Sequence, residues 1–197
     1  MYNKILLTSF NIWLPHHKSN SSDDLLEELT KINKVGQSSL GVEASEINPK
    51  SKIQNPKFHD SLVFLRRLPV DVKLASDRVK SKINGLQPDL IICCGMAESR
   101  TQLTVESKAT CGNAVINTPV DLEKLVTGLA GTEISHDAGK FVCEGLYYSI
   151  LEYIRDRNLK TRCIFLHVPL LKPNNLAEII ADFQLIIQRM AFDDQKL

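Results

Sequence analysis

Residues 88–95 are Pro-Asp-Leu-Ile-Ile-Cys-Cys-Gly, and this stretch carries the strongest signal for the class of fold. Its apolar core, residues 90–94, lies between Pro88 and Gly95, which mark the ends of the segment. A run that is short and wholly apolar is typical of a central strand covered on both faces. Such strands occur in parallel sheets, whose crossover connections place helices on the faces of the sheet. The segment therefore predicts an α/β protein.

Predicted strands and helices alternate along the rest of the chain, which favours a largely parallel, mixed sheet between two layers of helices. We predict a single-domain, three-layer α/β/α sandwich over residues 1–197, a length that suits one core. Residues 34–60 lack periodicity and are predicted to form a long loop or an irregular hairpin. The strands are predicted at residues 4–10, 62–68, 90–94, 101–109, 133–135 and 162–167, and the helices at residues 25–32, 74–83, 122–129, 139–155 and 176–190.

Composition argues against several classes of partner. The chain has 24 Lys and Arg residues against 23 Asp and Glu residues, which gives a net charge of +1, and no basic stripe is present. We therefore expect neither a nucleic acid nor a membrane as partner, because both attract clustered positive charge. The apolar run within residues 1–9 is too short for a signal peptide, so we expect a cytoplasmic protein.

The cysteines and the paired histidines do not predict a metal site. Five cysteines, none with CxxC spacing, are an odd number for a disulfide framework, and we interpret them as reduced thiols. The adjacent His16 and His17 do not match metal-ligand spacing and are assigned to a loop. We therefore predict no metal and no cofactor.

Three residues in the second half of the chain, Glu106, Cys143 and His167, have settings that suit thiol catalysis. Cys143 begins an apolar helical run after a glycine-containing turn, and the positive end of a helix lowers the pKa of a thiol. His167 ends an apolar strand, where open α/β sheets have their clefts. Each residue alone has a more ordinary interpretation: a buried thiol, a strand-end histidine and an exposed carboxylate. The functional prediction depends on the three together.

The motifs around these residues resemble, in the same order, those of the pyroglutamyl peptidase I family of cysteine peptidases. Residues 88–106 are similar to the family's strand, its Gly-x-Ala-x-x-Arg motif and its catalytic Glu. Residues 138–143, Ala-Gly-Lys-Phe-Val-Cys, resemble its nucleophile motif, and residues 165–169, Phe-Leu-His-Val-Pro, its histidine segment. The resemblance covers most of the chain. It implies the family's fold, no cofactor and a homo-oligomer.

The resemblance also implies an activity, removal of an N-terminal pyroglutamyl group from a small peptide by a cysteine omega-peptidase. Cys143 would attack the pyroglutamyl carbonyl and form a thioacyl-enzyme. His167 would carry the proton, and Glu106 would orient the imidazole and favour its charged form. Arg100 stands at the Arg of the family's motif and would either add positive potential near the cleft or form a structural ion pair.

Substrate recognition is where this sequence departs from the family, which opens with Thr-Gly-Phe-x-Pro-Phe-Gly-Gly. Residues 8–15 are Thr-Ser-Phe-Asn-Ile-Trp-Leu-Pro, so Phe10 and Trp13 keep two aromatic rings at the same separation. We predict that these rings hold the lactam, and that Phe141 and Val142 match the apolar pair lining the family's pocket.

Residues 136–137, His-Asp, replace an Asn that precedes the family's nucleophile turn. A carboxylate this close would raise the pKa of Cys143 if it pointed inward.

Three functional hypotheses remain open on the sequence alone. The first is a pyroglutamyl peptidase. The second is a hydrolase that retains the three catalytic residue types but acts on another small cyclic or acylated amine. The third is a non-catalytic module of the same fold that binds an N-terminal residue or a small ring.

Overall fold

The computed structural model describes residues 4–38 and 61–192. Eight strands and five helices within these ranges have the following bounds. The strands are β1 (Ile5–Phe10), β2 (Leu62–Leu68), β3 (Leu90–Met96), β4 (Leu103–Glu106), β5 (Lys108–Cys111), β6 (Ala114–Asn117), β7 (Thr132–Ser135) and β8 (Arg162–Val168). The helices are α1 (Ser21–Ser38), α2 (Val72–Leu86), α3 (Leu122–Val126), α4 (Val142–Asp156) and α5 (Leu176–Phe192).

A six-stranded sheet in the order β2-β1-β3-β8-β4-β7 forms the middle layer. Strands β2, β1, β3 and β8 are parallel, β4 is antiparallel to β8, and β7 is parallel to β4. Strands β5 and β6 pair separately as an antiparallel hairpin. The predicted α/β/α sandwich with a largely parallel, mixed sheet is confirmed, while its organisation as a single domain stays a prediction.

Two hydrophobic cores, one on each face of the sheet, hold the layers together. Along β3, Leu90 and Ile92 face the core formed with α1, α3 and α5, while Ile91 and Cys93 face the core formed with α2 and α4. Side chains that alternate along a strand point to opposite faces of a sheet, so a strand that is apolar throughout serves both cores. The prediction of a central strand in this segment is confirmed.

Several predicted boundaries are wrong. Residues 34–38 belong to α1 rather than to a loop, and the rest of the predicted loop, residues 39–60, lies outside the described residues. Helix α1 also begins four residues earlier than predicted, at Ser21, because Oδ1 of Asn20 accepts a hydrogen bond from the backbone N–H of Ser22 at 3.0 Å.

The other boundary errors involve glycines and a divided strand. Helix α3 ends at Val126, shortly before Gly128 with φ +71°, and α4 begins at Val142 because Gly139 has φ +92°, which a right-handed helix excludes. The strand predicted at residues 101–109 is divided into β4 and β5, which are separated by Ser107. Strand β6 was not predicted. Among the helices that the structure describes, none has the length and apolar character needed to cross a bilayer.

Candidate active site

Glu106 and His167 are brought together by the antiparallel pairing of β4 with β8. Thr104 pairs with His167 and Glu106 with Phe165. Glu106 is therefore two residues from the partner of His167, and its side chain lies on the same face of the sheet as the imidazole. Oε1 of Glu106 is 2.7 Å from Nδ1 of His167. Both residues are buried, with Glu106 0% and His167 5% exposed. A carboxylate only accepts hydrogen bonds, so Nδ1 of His167 is assigned the proton.

Cys143 is the second residue of α4 and lies against β3 at Gly95. Gly95 is the register partner of His167 on the neighbouring strand. A Cβ atom placed on Gly95 would be only 2.6 Å from Sγ of Cys143 and 2.9 Å from Cζ of Phe165. The thiol therefore occupies the space left by the absent side chain of Gly95. Glu106, His167 and Cys143, distant in sequence, share one end of the sheet.

The pKa of the Cys143 thiol differs from the sequence-based expectation. Burial raises this pKa to about 12, and the negative charge of Glu106 acts in the same direction. The charge of Arg100 and a backbone hydrogen bond oppose this shift only in part. The backbone at the start of α4 lowers this pKa, as expected, but the cost of burying a thiolate exceeds that effect, so the net shift is upward.

Arg100 forms an ion pair with Glu106. Its Nη1 donates to Oε1 of Glu106 at 2.7 Å and also contacts Oγ1 of Thr104, while Nη2 donates to the backbone carbonyl of Asp137 at 2.8 Å. These contacts agree with a structural ion pair, and the effect of the Arg100 charge on the pKa of Cys143 agrees with the other role considered, positive potential near the cleft. The guanidinium also connects Glu106 to the loop that precedes α4.

The carboxylate of Asp137 is directed into its own loop. Oδ1 of Asp137 accepts a hydrogen bond from the backbone N–H of Gly139 at 3.0 Å. The neighbouring His136 is exposed, and its Nδ1 is 2.7 Å from Oγ of Ser107. The side chain of Asp137 thus contributes a hydrogen bond to the turn before α4.

The aromatic residues of the predicted pocket are arranged differently from the expected pair of Phe10 and Trp13. Phe10 is in the core and 2% exposed, whereas Trp13 is 53% exposed. Trp13 stacks instead on Phe141, with ring centroids 4.6 Å apart and an angle of 31° between the planes. Val142 faces the core beneath them and is 5% exposed. The exposed aromatic surface next to the Cys143 helix is therefore the Trp13–Phe141 pair.

Three further residues of this region were not singled out from the sequence. They are Gly95, Thr104 and Tyr147, whose hydroxyl donates to the backbone carbonyl of Glu106 at 3.0 Å. A glycine inside an apolar strand often marks a close approach of another group, and this signal could have identified Gly95. Thr104 and Tyr147 carry no comparable signal.

Comparison with known proteins agrees with this geometry. The model of the family described as Pyroglutamyl peptidase matches residues 122–191, which include Cys143 and His167. Pyrrolidone-carboxylate peptidase of Brachyspira hyodysenteriae is 28% identical over 154 residues, covering 63% of this chain and 76% of the relative. The Vibrio campbellii protein of the same name is 28% identical over 173 residues, covering 73% and 80%. The sequence is thus similar to those of the pyroglutamyl peptidases.

Solved structures show that the likeness to the pyroglutamyl peptidases extends to the whole fold. Pyroglutamyl peptidase I from Bacillus amyloliquefaciens superimposes with a TM-score of 0.73 at 20% identity, covering 98% of this chain and 96% of that one. Pyrrolidone carboxyl peptidase from Thermococcus litoralis gives 0.68 at 18% identity, covering 97% and 94%. The predicted resemblance is confirmed, and the names of the relatives support the predicted class, a cysteine peptidase.

Proposed function

We propose that this protein is a cysteine peptidase that removes an N-terminal pyroglutamyl group from small peptides, with Cys143 as nucleophile, His167 as base and Glu106 as orienting residue. The observation that carries the proposal is the 2.7 Å contact between Glu106 and His167, next to a thiol packed on the register partner of His167. A nucleophile, a base and a third group that orients the base are the parts that thiol catalysis requires.

Proton transfer is coupled to attack in this mechanism. Because the pKa of Cys143 is raised to about 12, the resting thiol is protonated at neutral pH. Nδ1 of His167 is held by Glu106, so Nε2 is the nitrogen that takes the thiol proton as sulfur attacks the pyroglutamyl carbonyl. The imidazolium then protonates the departing amine, which leaves a thioacyl-enzyme. Water, deprotonated by His167, hydrolyses the thioester and regenerates the thiol.

Backbone N–H groups at the start of α4 supply the oxyanion donors. The first N–H groups of a helix have no partner within the helix. Phe141, the N-cap residue of α4, makes no side-chain capping hydrogen bond. The N–H of Cys143, in the first turn of α4, is the donor we assign to the negatively charged oxygen on the carbon that its own Sγ attacks.

Recognition of a flat, uncharged lactam rests on apolar contacts in this proposal. Trp13 and Phe141 present half-exposed rings beside the start of α4, where the acyl group must lie for Cys143 to reach its carbonyl. A small peptide with a blocked N-terminus is the proposed partner. Assembly as a homo-oligomer and a cytoplasmic location stay predictions, as does the absence of a nucleic-acid partner.

The stacking of Trp13 on Phe141 favours a second candidate, hydrolysis of another small cyclic or acylated amine by the same three residues. A ring held between two aromatic faces needs those faces about 7 Å apart. The observed centroid distance is 4.6 Å. Pyroglutamate must therefore bind on one side of this pair or separate its rings, and a different acyl group could fit that surface better.

Hydrolysis of fluorogenic amides distinguishes these candidates. The purified protein is assayed with pyroglutamyl-, prolyl- and acetylalanyl-aminomethylcoumarin, alongside Cys143→Ala and a matched control, Cys111→Ala, which alters an exposed thiol. Hydrolysis of the pyroglutamyl amide alone, lost only in Cys143→Ala, supports the first candidate. Faster hydrolysis of the acetylalanyl amide than of the pyroglutamyl amide supports the second candidate. Turnover that is unchanged in Cys143→Ala overturns both candidates.

A further inference from the structure

Two loops at the carboxyl end of the sheet bring together His16, His17 and Glu98. The histidines follow β1, and Glu98 follows β3, the parallel neighbour of β1. One ligand atom from each of the three residues lies within 4.8 Å of the other two. Glu98 is 81 residues from His17, so spacing along the sequence does not reveal the group.

We propose that His16, His17 and Glu98 bind a divalent transition-metal ion of the zinc class. Two imidazoles and one carboxylate are a donor set that suits Zn²⁺, Co²⁺ and Ni²⁺ better than Ca²⁺ or Mg²⁺, which prefer all-oxygen ligands. Three protein ligands leave a fourth tetrahedral position for water. The site is separate from Glu106, Cys143 and His167.

The setting of His17 is the second observation that supports a ligand. Its side chain is 7% exposed, and its Nε2 is 2.5 Å from Oε1 of Glu98. Its Nδ1 is buried and has no hydrogen-bond partner among the described residues. Buried polar atoms in folded proteins almost always have a hydrogen-bond partner. The described residues give Nδ1 of His17 none, which indicates that a further ligand binds at this ring.

The dimensions of the group also suit a metal ion. Bonds of about 2.0–2.2 Å to a tetrahedral zinc ion place its ligand atoms roughly 3.3–3.6 Å apart. The ligand atoms of the group lie within 4.8 Å of one another, and the 2.5 Å contact between Nε2 of His17 and Oε1 of Glu98 would open by about 1 Å through rotation of the exposed side chain of Glu98. The rings of His16 and His17 are already in contact, with centroids 4.4 Å apart.

A bound ion would connect the loop that contains Trp13 to the loop that contains Arg100. Trp13 precedes His16 by three positions and is the only tryptophan in the chain. Its fluorescence therefore reports on this loop without interference from another tryptophan. This gives metal binding a readout that does not depend on enzymatic activity.

The test is a titration of the untagged, full-length protein with Co²⁺, followed by its visible absorption and by Trp13 fluorescence. We expect a saturable band typical of tetrahedral Co²⁺ that Zn²⁺ removes, together with quenching of Trp13. Replacing the exposed ligands in His16→Ala and Glu98→Gln should each weaken binding about tenfold or more. His17→Ala should do the same, but the exposed pair keeps the test valid if that variant does not fold.

Two controls make the titration decisive. His136→Ala removes an exposed histidine outside the group and should leave the Co²⁺ affinity unchanged. Cys143→Ala tests whether Co²⁺ binds to the thiol of Cys143 instead of to the proposed site. The proposal is overturned if no Co²⁺ binds, if His16→Ala and Glu98→Gln bind it as tightly as the unaltered protein, or if binding is lost in Cys143→Ala.

Discussion

Nδ1 of His167 and Oε1 of Glu106 are 2.7 Å apart across two antiparallel strands, and the same oxygen accepts a hydrogen bond from Nη1 of Arg100 at 2.7 Å. Oε2 of Glu106 is buried and has no partner among the described residues. One carboxylate oxygen thus contacts both the imidazole of His167 and the guanidinium of Arg100. Protonation of His167 during catalysis would strengthen an interaction that is already in place.

Glu106→Gln should lower kcat by about a thousandfold while the fold is retained, because an amide cannot fix the imidazole tautomer or stabilise the imidazolium. The measurement is steady-state hydrolysis of pyroglutamyl-aminomethylcoumarin, with circular dichroism to confirm folding. Glu133→Gln is the matched control, since Glu133 is an exposed carboxylate on the adjacent β7. Equal activity in the two variants would remove Glu106 from the mechanism.

Gly95→Ala should abolish activity, because its Cβ would lie 2.6 Å from Sγ of Cys143 and 2.9 Å from Cζ of Phe165. Movement of either group changes the placement of the thiol relative to His167. Gly85→Ala is the control, because no atom lies within 4 Å of a Cβ at this position on α2. That control should retain activity and gain up to about 1 kcal/mol of stability from its better helix propensity. Full activity in Gly95→Ala would contradict the placement of Cys143.

The parts of the fold that could be predicted from sequence are those with a strong local signal. The apolar runs of β3 and β8, and the helical period of α4, were sufficient to predict where those elements lie and that His167 ends a strand. The antiparallel orientation of β4 was not predictable, because it depends on pairing with β8 about 60 residues away. The contact between Glu106 and His167 follows from that pairing.

The parts of the site that could not be predicted depend on burial and on contacts between distant segments. The position of Cys143 at the start of α4 was predictable, but the packing of its thiol on Gly95 was not, and this burial reverses the expected direction of its pKa shift. The stacking of Trp13 on Phe141 and the approach of Glu98 to His17 likewise join loops that are far apart in sequence.

Alkylation of Cys143 by iodoacetamide should be slow at neutral pH and should keep rising above pH 9. The raised pKa of about 12 keeps this thiol protonated where an ordinary thiol, with a pKa of about 8.5, is ionised. Peptide mapping by mass spectrometry gives the rate at each cysteine, with the exposed Cys111 as internal reference. Alkylation of Cys143 faster than Cys111 below pH 8 would indicate a thiolate–imidazolium pair in the resting protein instead.

Arg100→Gln should make Cys143 still less reactive, because the positive charge of Arg100 lowers the pKa of that thiol. The rate should fall relative to the unaltered protein at every pH below about 12. Arg78→Gln, which removes an exposed arginine on α2, serves as control and should leave the rate unchanged. An unchanged rate in Arg100→Gln would show that this guanidinium has no electrostatic effect on the thiol.

Trp13→Ala should raise KM up to about tenfold with a smaller effect on kcat, because an aromatic contact contributes about 0.5–1.5 kcal/mol and is present before and during the reaction. Trp13→Phe keeps a ring to stack on Phe141 and should restore most of the affinity. Steady-state kinetics on the pyroglutamyl amide provides both constants. If KM is the same in all three proteins, Trp13 does not contact the substrate.

The central claim, covalent catalysis by Cys143, is tested most directly by trapping the acyl-enzyme. The protein is mixed with excess pyroglutamyl-aminomethylcoumarin, quenched in acid during turnover and mapped by peptide mass spectrometry. We expect a pyroglutamyl thioester on the peptide that contains Cys143, and no adduct in Cys143→Ala, which should also lack activity. Covalent catalysis by Cys143 would be contradicted if turnover proceeded without any adduct and at an equal rate in Cys143→Ala.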